Sequence, residues 1–474
     1  MQLICNNEKF NDELLLVVKL FYPVEEIENL NLNFNINYQL NNDQLSYTIS
    51  ITGDYTKEYS TTVNLTKSQI TKADKYIKRY LKILLYDMLV QLTGKTMPWG
   101  SLTGIRPTKL FYELKNELKN ELNSSLLAKN ELIKTFRVSP QKAEVVMEVT
   151  RNQSRIEIND NLVDLYINIP FCTTKCYYCS FISAPISQCQ QYVEPYIDAL
   201  LKELDATKQI INQRNYIVKS IYIGGGTPTS LSADQLDRIL TQITYPVSEF
   251  TVEAGRPDTI TKEKLDVLKK HGVIRISINP QTFSNRTLKL IGRAHTSQDI
   301  INAYNMALPY NFSINMDLIA GLENESFNTF KKSLLNTLEL NPDNITVHTL
   351  SVKRTSKLSD GEGEKGNAED VTKMIDYSYR TLTNAGYNPY YLYKQKNMVG
   401  NLENIGYTLK GKECIFNIDS MEEVATIVAV GANAISKRFF SLTNRIERQA
   451  NVKNLTDYIN RIDEIIEKKK DFFK

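Results

Sequence analysis

Between residues 163 and 349, short apolar runs alternate with amphipathic stretches, and this alternation restricts the possible folds more than any other feature of the chain. The apolar runs lie at 163–169, 220–223, 250–254, 273–278, 313–319 and 344–349. Helical patterns occupy 192–208, 233–239, 262–271, 297–307 and 326–338 between them. Continuous apolar strands separated by helices read as parallel βαβ units, in which helices cover both faces of the sheet. The expected core is therefore α/β: a partial (β/α)6 TIM-like barrel, open where a full barrel would close. In such folds the loops at the carboxyl ends of the strands carry the site.

A chain of 474 residues exceeds what one hydrophobic core organises, so further domains are expected. Residues 1–155 read as an N-terminal α+β domain. Its stretch 13–62 favours strands, the apolar run 14–22 included. A helix is expected at 67–92, with Ile77, Leu81, Leu84, Leu85 and Met88 on one face. A Gly/Pro-punctuated loop at 97–109 carries the single tryptophan, Trp99, and Pro107 suits the first turn of a helix. Residues 156–355 are assigned to the barrel and 356–474 to a C-terminal region on the substrate side. That region begins in a hydrophilic segment (359–370) and a helix (371–384). Its aromatic tail starts at Tyr387 and ends in an amphipathic helix (455–470) with Ile459, Ile462 and Ile466 on its docked face. The formal charge of +3 leaves no electrostatic footprint for nucleic acid. The first residues lack a signal-peptide layout, and no apolar run approaches the roughly 20 residues of a membrane span. Six cysteines are too few for a disulfide framework, so a cytoplasmic, reducing location is expected.

Three of those cysteines, Cys172, Cys176 and Cys179, follow the first barrel strand in CxxxCxxC spacing. Iron-sulfur cubanes and structural zinc sites are usually completed by four protein ligands, so this trio leaves one corner open. Inert buried thiols are one alternative. A zinc site completed by His271, His295, His348, Cys189 or Cys414 is another, although such sites usually pair one short motif with a second, and this chain has none. The second strand ends in Gly224-Gly-Gly-Thr-Pro-Thr229, which is neither a dinucleotide fingerprint nor a P-loop. It can be a plain tight turn, or it can bring bare backbone against a ligand. Glu253 interrupts the third strand and Asp317 the fifth, while the fourth ends in Ser277-Ile-Asn-Pro-Gln281. Any one of these polar groups could pair with Arg256, Arg275 or Arg293. Several of them at one barrel mouth describe a ligand cage.

In this order and spacing the cysteine loop, the Gly224 to Thr229 stretch, Val252-Glu-Ala and Asp317-Leu-Ile-Ala-Gly-Leu322 resemble the radical S-adenosylmethionine (SAM) superfamily. The segments 99–109 and 390–407 narrow the resemblance to the oxygen-independent coproporphyrinogen III oxidase/dehydrogenase family and extend it over most of the chain. The resemblance implies that Cys172, Cys176 and Cys179 ligate a 4Fe-4S cluster whose fourth iron is chelated by SAM. By the same resemblance Tyr166, Gly225, Gly226 and Thr227 contact the methionyl end of SAM. Glu253, Gln281, Arg293 and Asp317 match positions that hold its ribose and carboxylate, and Ala320 and Gly321 match backbone near its adenine. The implied reaction is oxidative decarboxylation of coproporphyrinogen III to protoporphyrinogen IX in porphyrin biosynthesis, with a low-potential donor such as flavodoxin or ferredoxin. Anaerobic methylation and opening of haem, haem chaperoning and simple electron transfer are the competing functions. A tetracarboxylate substrate calls for cations and aromatic surfaces. Arg106, Lys353, Arg354, Lys394 and Lys396 are the candidates, each with a solvated surface charge as its alternative. The small-residue turn 430–436 resembles one near the substrate side in this family. The chain departs from many oxidases of the family at Asn168, where they have histidine, and at Ser180, where they have a fourth cysteine.

Overall fold

A computed structural model describes residues 1–104, 106–119, 121–153, 157–179, 184–351, 367–395 and 398–474. Two compact units are present: Met1–Met147 with Gly400–Leu402, and Glu148–Val399 with Glu403–Lys474.

In the first unit, β1 (Gln2–Cys5), α1 (Asn11–Val18), β2 (Leu32–Asn41), β3 (Gln44–Gly53), β4 (Lys57–Asn64) and α2 (Ala73–Thr93) share one core. The sheet runs β1-β2-β3-β4, parallel in its first pair and antiparallel thereafter. Inward residues Phe34, Ile36, Ile49 and Ile51 meet Ile77, Leu81, Leu85 and Met88 of α2. The apolar run from Leu14, expected as a strand, is helical instead. Leu14, Val17 and Val18 are fully buried at helical spacing, so packing on α2 decides a stretch, residues 14–18, whose consecutive apolar side chains show no period. Helices α3 (Pro107–Glu117), α4 (Ser124–Lys134) and α5 (Pro140–Asn152) follow, and Pro107 opens α3 as expected.

The second unit is built on β5 (Leu162–Ile169), α6 (Val193–Gln213), β6 (Ile217–Gly225), α7 (Ala233–Thr241), β7 (Glu249–Glu253), α8 (Lys262–Lys270), β8 (Arg275–Ser277), α9 (Ser297–Ala307), β9 (Ser313–Ala320), α10 (Phe327–Leu340) and β10 (Asn344–Thr349). Side chains of Ser232, Thr261, Thr296 and Ser326 cap α7 to α10, so the chain marks its own helix starts on the return from each strand. After α11 (Ala368–Asn384) come β11 (Asn388–Tyr393), β12 (Asn404–Thr408), α12 (Ile415–Glu422), β13 (Thr426–Val430), β14 (Ile435–Phe440), β15 (Arg445–Ala450), α13 (Leu455–Asn460) and α14 (Ile462–Phe472).

All eleven strands of this unit's main sheet lie in the order β11-β12-β10-β9-β8-β7-β6-β5-β13-β14-β15. From β10 to β13 neighbours are parallel, and antiparallel pairs finish both ends. The chain thus forms a partial TIM-like barrel, with strands of the C-terminal region added at both edges of the predicted six. No helix among the described residues is long and apolar enough to cross a membrane.

Candidate active site at the strand ends

The carboxyl ends of β5 to β10 surround a cavity of about 350 Å³, within the roughly 300–1,000 Å³ usual for small-molecule sites. Tyr166, Cys172, Cys176, Cys179, Gly225, Gly226, Thr227, Glu253, Gln281, Arg293 and Asp317 all line it. The sequence places them as many as 151 positions apart, between Tyr166 and Asp317.

The cysteine loop is held from two sides. Gly226 donates its N–H to Ile169 O at 2.8 Å and Thr227 to Phe171 O at 2.6 Å, joining the end of β6 to the segment that leads into the cysteines. A Cβ on Gly226 would overlap the Phe171 carbonyl, and Gly225 (φ +105°) presses against the Asn168 side chain. Only glycine permits this approach. On the other side the buried Arg256 guanidinium donates to Thr174 Oγ1 at 2.8 Å and points at Cys176 Sγ from 3.8 Å. Asp258 pairs with Arg256 at 3.1 Å and also accepts from Thr173 at 2.9 Å. Although burial works the other way, His295, Arg256 and Thr173 hold the Asp258 carboxyl well below its ordinary range. The Cys172 sulfur lies 3.5 Å from Thr227 Oγ1. None of the six cysteines forms a disulfide, and among the described residues no three His, Cys, Asp or Glu side chains are grouped around a point that would hold a single ion.

Deeper in the cavity, Tyr166 donates to Asn168 Oδ1 at 3.0 Å, while Asn168 Nδ2 donates to the Ala432 carbonyl at 2.7 Å. Burial, with Glu253 adding to it, pushes the Tyr166 phenol up, so it remains a neutral hydroxyl. Its ring belongs to an aromatic wall: Phe416 stacks on it at 5.8 Å and on Tyr222 at 4.4 Å. Tyr222 donates to Glu253 Oε1 at 2.6 Å. Burial, reinforced by the charge of Asp317, pushes the Glu253 carboxyl up to about 7. Asp317 goes the other way. Burial would raise it, but His348 at 3.6 Å and the Asn315 amide at 2.7 Å keep it below its usual value. Two carboxylates of one cavity, on β7 and β9 with β8 between them, therefore differ in proton affinity.

Gln281 adopts a left-handed backbone (φ +65°), locked by bonds from its N–H to Asp317 O and from Ile319 N–H to its own carbonyl. Its Oε1 is buried and has no hydrogen-bond partner; neither has Asn279 Oδ1 or Arg293 Nε. Such orphaned atoms are costly unless a ligand satisfies them. Arg293 also donates to the carbonyls of Gly255 and Asn279 and to the Tyr178 hydroxyl.

The remaining candidates lie elsewhere. Ala320 and Gly321 are not among the lining residues; Ala320 accepts from Leu350 N–H, and Gly321 takes φ +88° against Val371. Lys394 is buried and does not line the cavity, although its neighbours Tyr393 and Gln395 do. Arg106 lines a second cavity, in the first unit. Lys353, Arg354, Lys396 and Ser180 lie outside the described residues. Reading the sequence missed Tyr222, Asn279, Asn315 and His348 as lining residues. Their signal was the strand period, since Asn315 is two positions from Asp317 and Tyr222 two before Gly224.

Thiols on a loop pinned against glycines, orphaned polar atoms and carboxylates of differing proton affinity fit a thiolate-bound cluster beside a polar nucleoside with an amino-acid end.

The radical SAM superfamily pattern matches residues 166–335. Over 84% of its length the chain is 36% identical to the oxygen-independent coproporphyrinogen-III oxidase-like protein HemZ of Bacillus subtilis, and it spans 81% of that protein. It is 28% identical to the heme chaperone HemW of Buchnera aphidicola, over 63% of this chain and 76% of that one. Among solved structures, coproporphyrinogen III oxidase (HemN) from Escherichia coli, a radical SAM enzyme, matches with a TM-score of 0.52. That match covers 67% of this chain and 72% of the other at 23% identity, a likeness of fold.

Proposed function

Since the chain belongs to the radical SAM family of oxygen-independent coproporphyrinogen-III oxidase-like proteins, we propose that its barrel mouth carries out the oxygen-independent oxidative decarboxylation of coproporphyrinogen III. The observation that carries this reading is the convergence of three cysteines and eight polar or glycine positions, chosen from sequence, on one cavity. The fold implies a 4Fe-4S cluster and SAM, which together supply reductive bond cleavage and hydrogen-atom abstraction when bound.

In this reading Cys172, Cys176 and Cys179 hold the cluster, and Arg256 braces their loop. Because the Tyr166 hydroxyl donates its hydrogen bond to Asn168, the phenol presents lone pairs to the cavity and is suited to an ammonium group. Arg293, half-buried against two carbonyls, suits a carboxylate. Asp317 and Glu253 suit ribose hydroxyls, the first as an ionised acceptor and the second able to donate or accept. The aromatic wall of Tyr166, Tyr222 and Phe416, continued by Tyr391 and Tyr393, excludes water and offers stacking surface to a tetrapyrrole. The partners that go with this reading are a low-potential flavodoxin or ferredoxin and the cytoplasm's reducing conditions.

The test is anaerobic reconstitution with iron, sulfide, SAM, dithionite and coproporphyrinogen III, followed by mass spectrometry. One 5′-deoxyadenosine for each vinyl group formed, two for each protoporphyrinogen, is expected. Deoxyadenosine without porphyrinogen conversion would refute the substrate. Tight haem binding without either product would favour the chaperone activity named for the HemW relative.

A further inference from the structure

We propose that the first unit contains a separate binding cavity for a multiply anionic small molecule with an apolar body. Helix α2 presents Lys75, Lys78, Arg79 and Lys82 at spacings of three, four and seven residues, which is one continuous stripe. These cations, with Arg106 and Lys109, line a cavity of about 260 Å³ to which, among the described residues, Glu113 is the single carboxylate contributor. The excess charge survives local pairing. Glu113 serves Lys75 at 2.7 Å and Arg79 at 3.3 Å, while Glu13, outside the lining, serves Lys82 at 3.0 Å and Lys78 at 3.6 Å. Each carboxylate is shared by two cations, so each group keeps a net positive charge. Burial depresses Lys82 despite its contact with Glu13, and the charge of Lys78 adds to that.

Three further features face the same space. Thr103 lines the cavity with a buried hydroxyl that has no hydrogen-bond partner. Helix α3 begins at Pro107 without a side-chain cap, leaving the positive end of an eleven-residue helix at the wall. Leu102, Leu110 and Phe136 supply apolar lining, and the Arg79 guanidinium stands 5.3 Å over the Phe136 ring. Ordinary surface ion pairs have no need of an orphaned hydroxyl, an uncapped helix start or an apolar floor. From Lys75 to Lys82 the stripe runs about 10 Å, so the ligand's acidic groups can stand well apart. Polycarboxylates on a macrocycle and nucleoside polyphosphates share this chemistry.

Equilibrium binding to the full chain, in low and high salt, decides it with three probes: coproporphyrin III, ATP and inorganic pyrophosphate. Comparison with Lys78→Glu/Lys82→Glu isolates this cavity from the barrel mouth. The expected result is one salt-sensitive binding equivalent, weakened roughly tenfold or more in the variant. Its presence with coproporphyrin III identifies a polycarboxylate ligand, and with ATP and pyrophosphate a phosphate-bearing one. Should charge reversal unfold the unit by circular dichroism, Lys78→Ala/Lys109→Ala carries the same comparison. Binding of all three probes unchanged in a folded variant, or absent from the wild type, overturns the proposal.

Discussion

Asn168 is the hinge of the cavity's hydrogen-bond polarity: its amide oxygen accepts from Tyr166, its amide nitrogen donates to Ala432 O, and its backbone oxygen accepts from the buried Tyr196 hydroxyl at 2.5 Å. Asn168→Leu keeps the branching at Cγ, adds volume against Gly225 and Gly431, and leaves a phenol and a carbonyl without partners. Each such loss costs roughly 1–3 kcal/mol, so chemical denaturation should register a drop of about 2 kcal/mol or more. An unchanged midpoint would mean that water replaces the side chain. Arg256 makes a second residue-scale prediction. Arg256→Gln removes the guanidinium that reaches Thr174 and Cys176, so the folded variant should retain less iron per chain after anaerobic reconstitution. Full iron content in that variant would show that the loop needs no such brace.

At the scale of elements, the C-terminal helix α14 reaches back into the barrel through one buried ion pair. Lys469 lies 2.6 Å from Glu203 of α6, and both side chains are essentially inaccessible. Glu203 also accepts from Gly431 N–H, Asn451 and the Tyr458 hydroxyl, so it ties α13 and α14 to the small-residue turn after β13. Lys469→Met strands a buried carboxylate and should destabilise by about 3–5 kcal/mol. Met at 469 together with Glu203→Gln should recover much of that loss, and failure of the double variant to recover would place the effect in packing. None of this was visible in the sequence, which gave α14 only as an amphipathic face of Ile462 and Ile466. A lysine in a helical repeat reads as solvent-exposed, and its partner lies 266 positions away. The barrel strands were legible because each is specified within a dozen residues. The helix at Leu14 was not, since the consecutive apolar residues 14–18 carry no period and only α2 decides it. The cysteines, glycines and acidic interruptions could be placed at strand ends by local pattern alone. Arg256, Asn279 and the aromatic wall acquire their roles only through contacts across strands.

Across the whole molecule, buried carboxyls of opposite tendency set how stability depends on pH. Burial pushes Glu325 up to about 7, against an ordinary 4.5, even though Thr282 donates to it. Burial likewise raises Asp164, with Asp419 adding to it, and Glu253. A group whose folded value is raised keeps a proton that the unfolded chain has already released, so its contribution is complete below the unfolded value and is lost as pH rises through the folded one. Asp258 has the reverse sign: held low by His295 and Arg256 against burial, it contributes above its ordinary value of 3.8 and fails as pH falls. Chain stability should therefore decline from about pH 4.5 to about pH 7 by an amount set jointly by the raised groups. Glu325 is hydrogen-bonded to Thr282 and lies within electrostatic reach of Tyr177 in the cysteine loop, and its substitution reads one share of that decline. Glu325→Gln should flatten the slope in this window by up to about 3 kcal/mol and leave the acid limb, which Asp258 governs, in place. Unfolding midpoints of wild type and variant across this range are the measurement. Parallel curves would mean that Glu325 is ionised in the folded chain, and that the loop after β9 is more open to water than its burial implies.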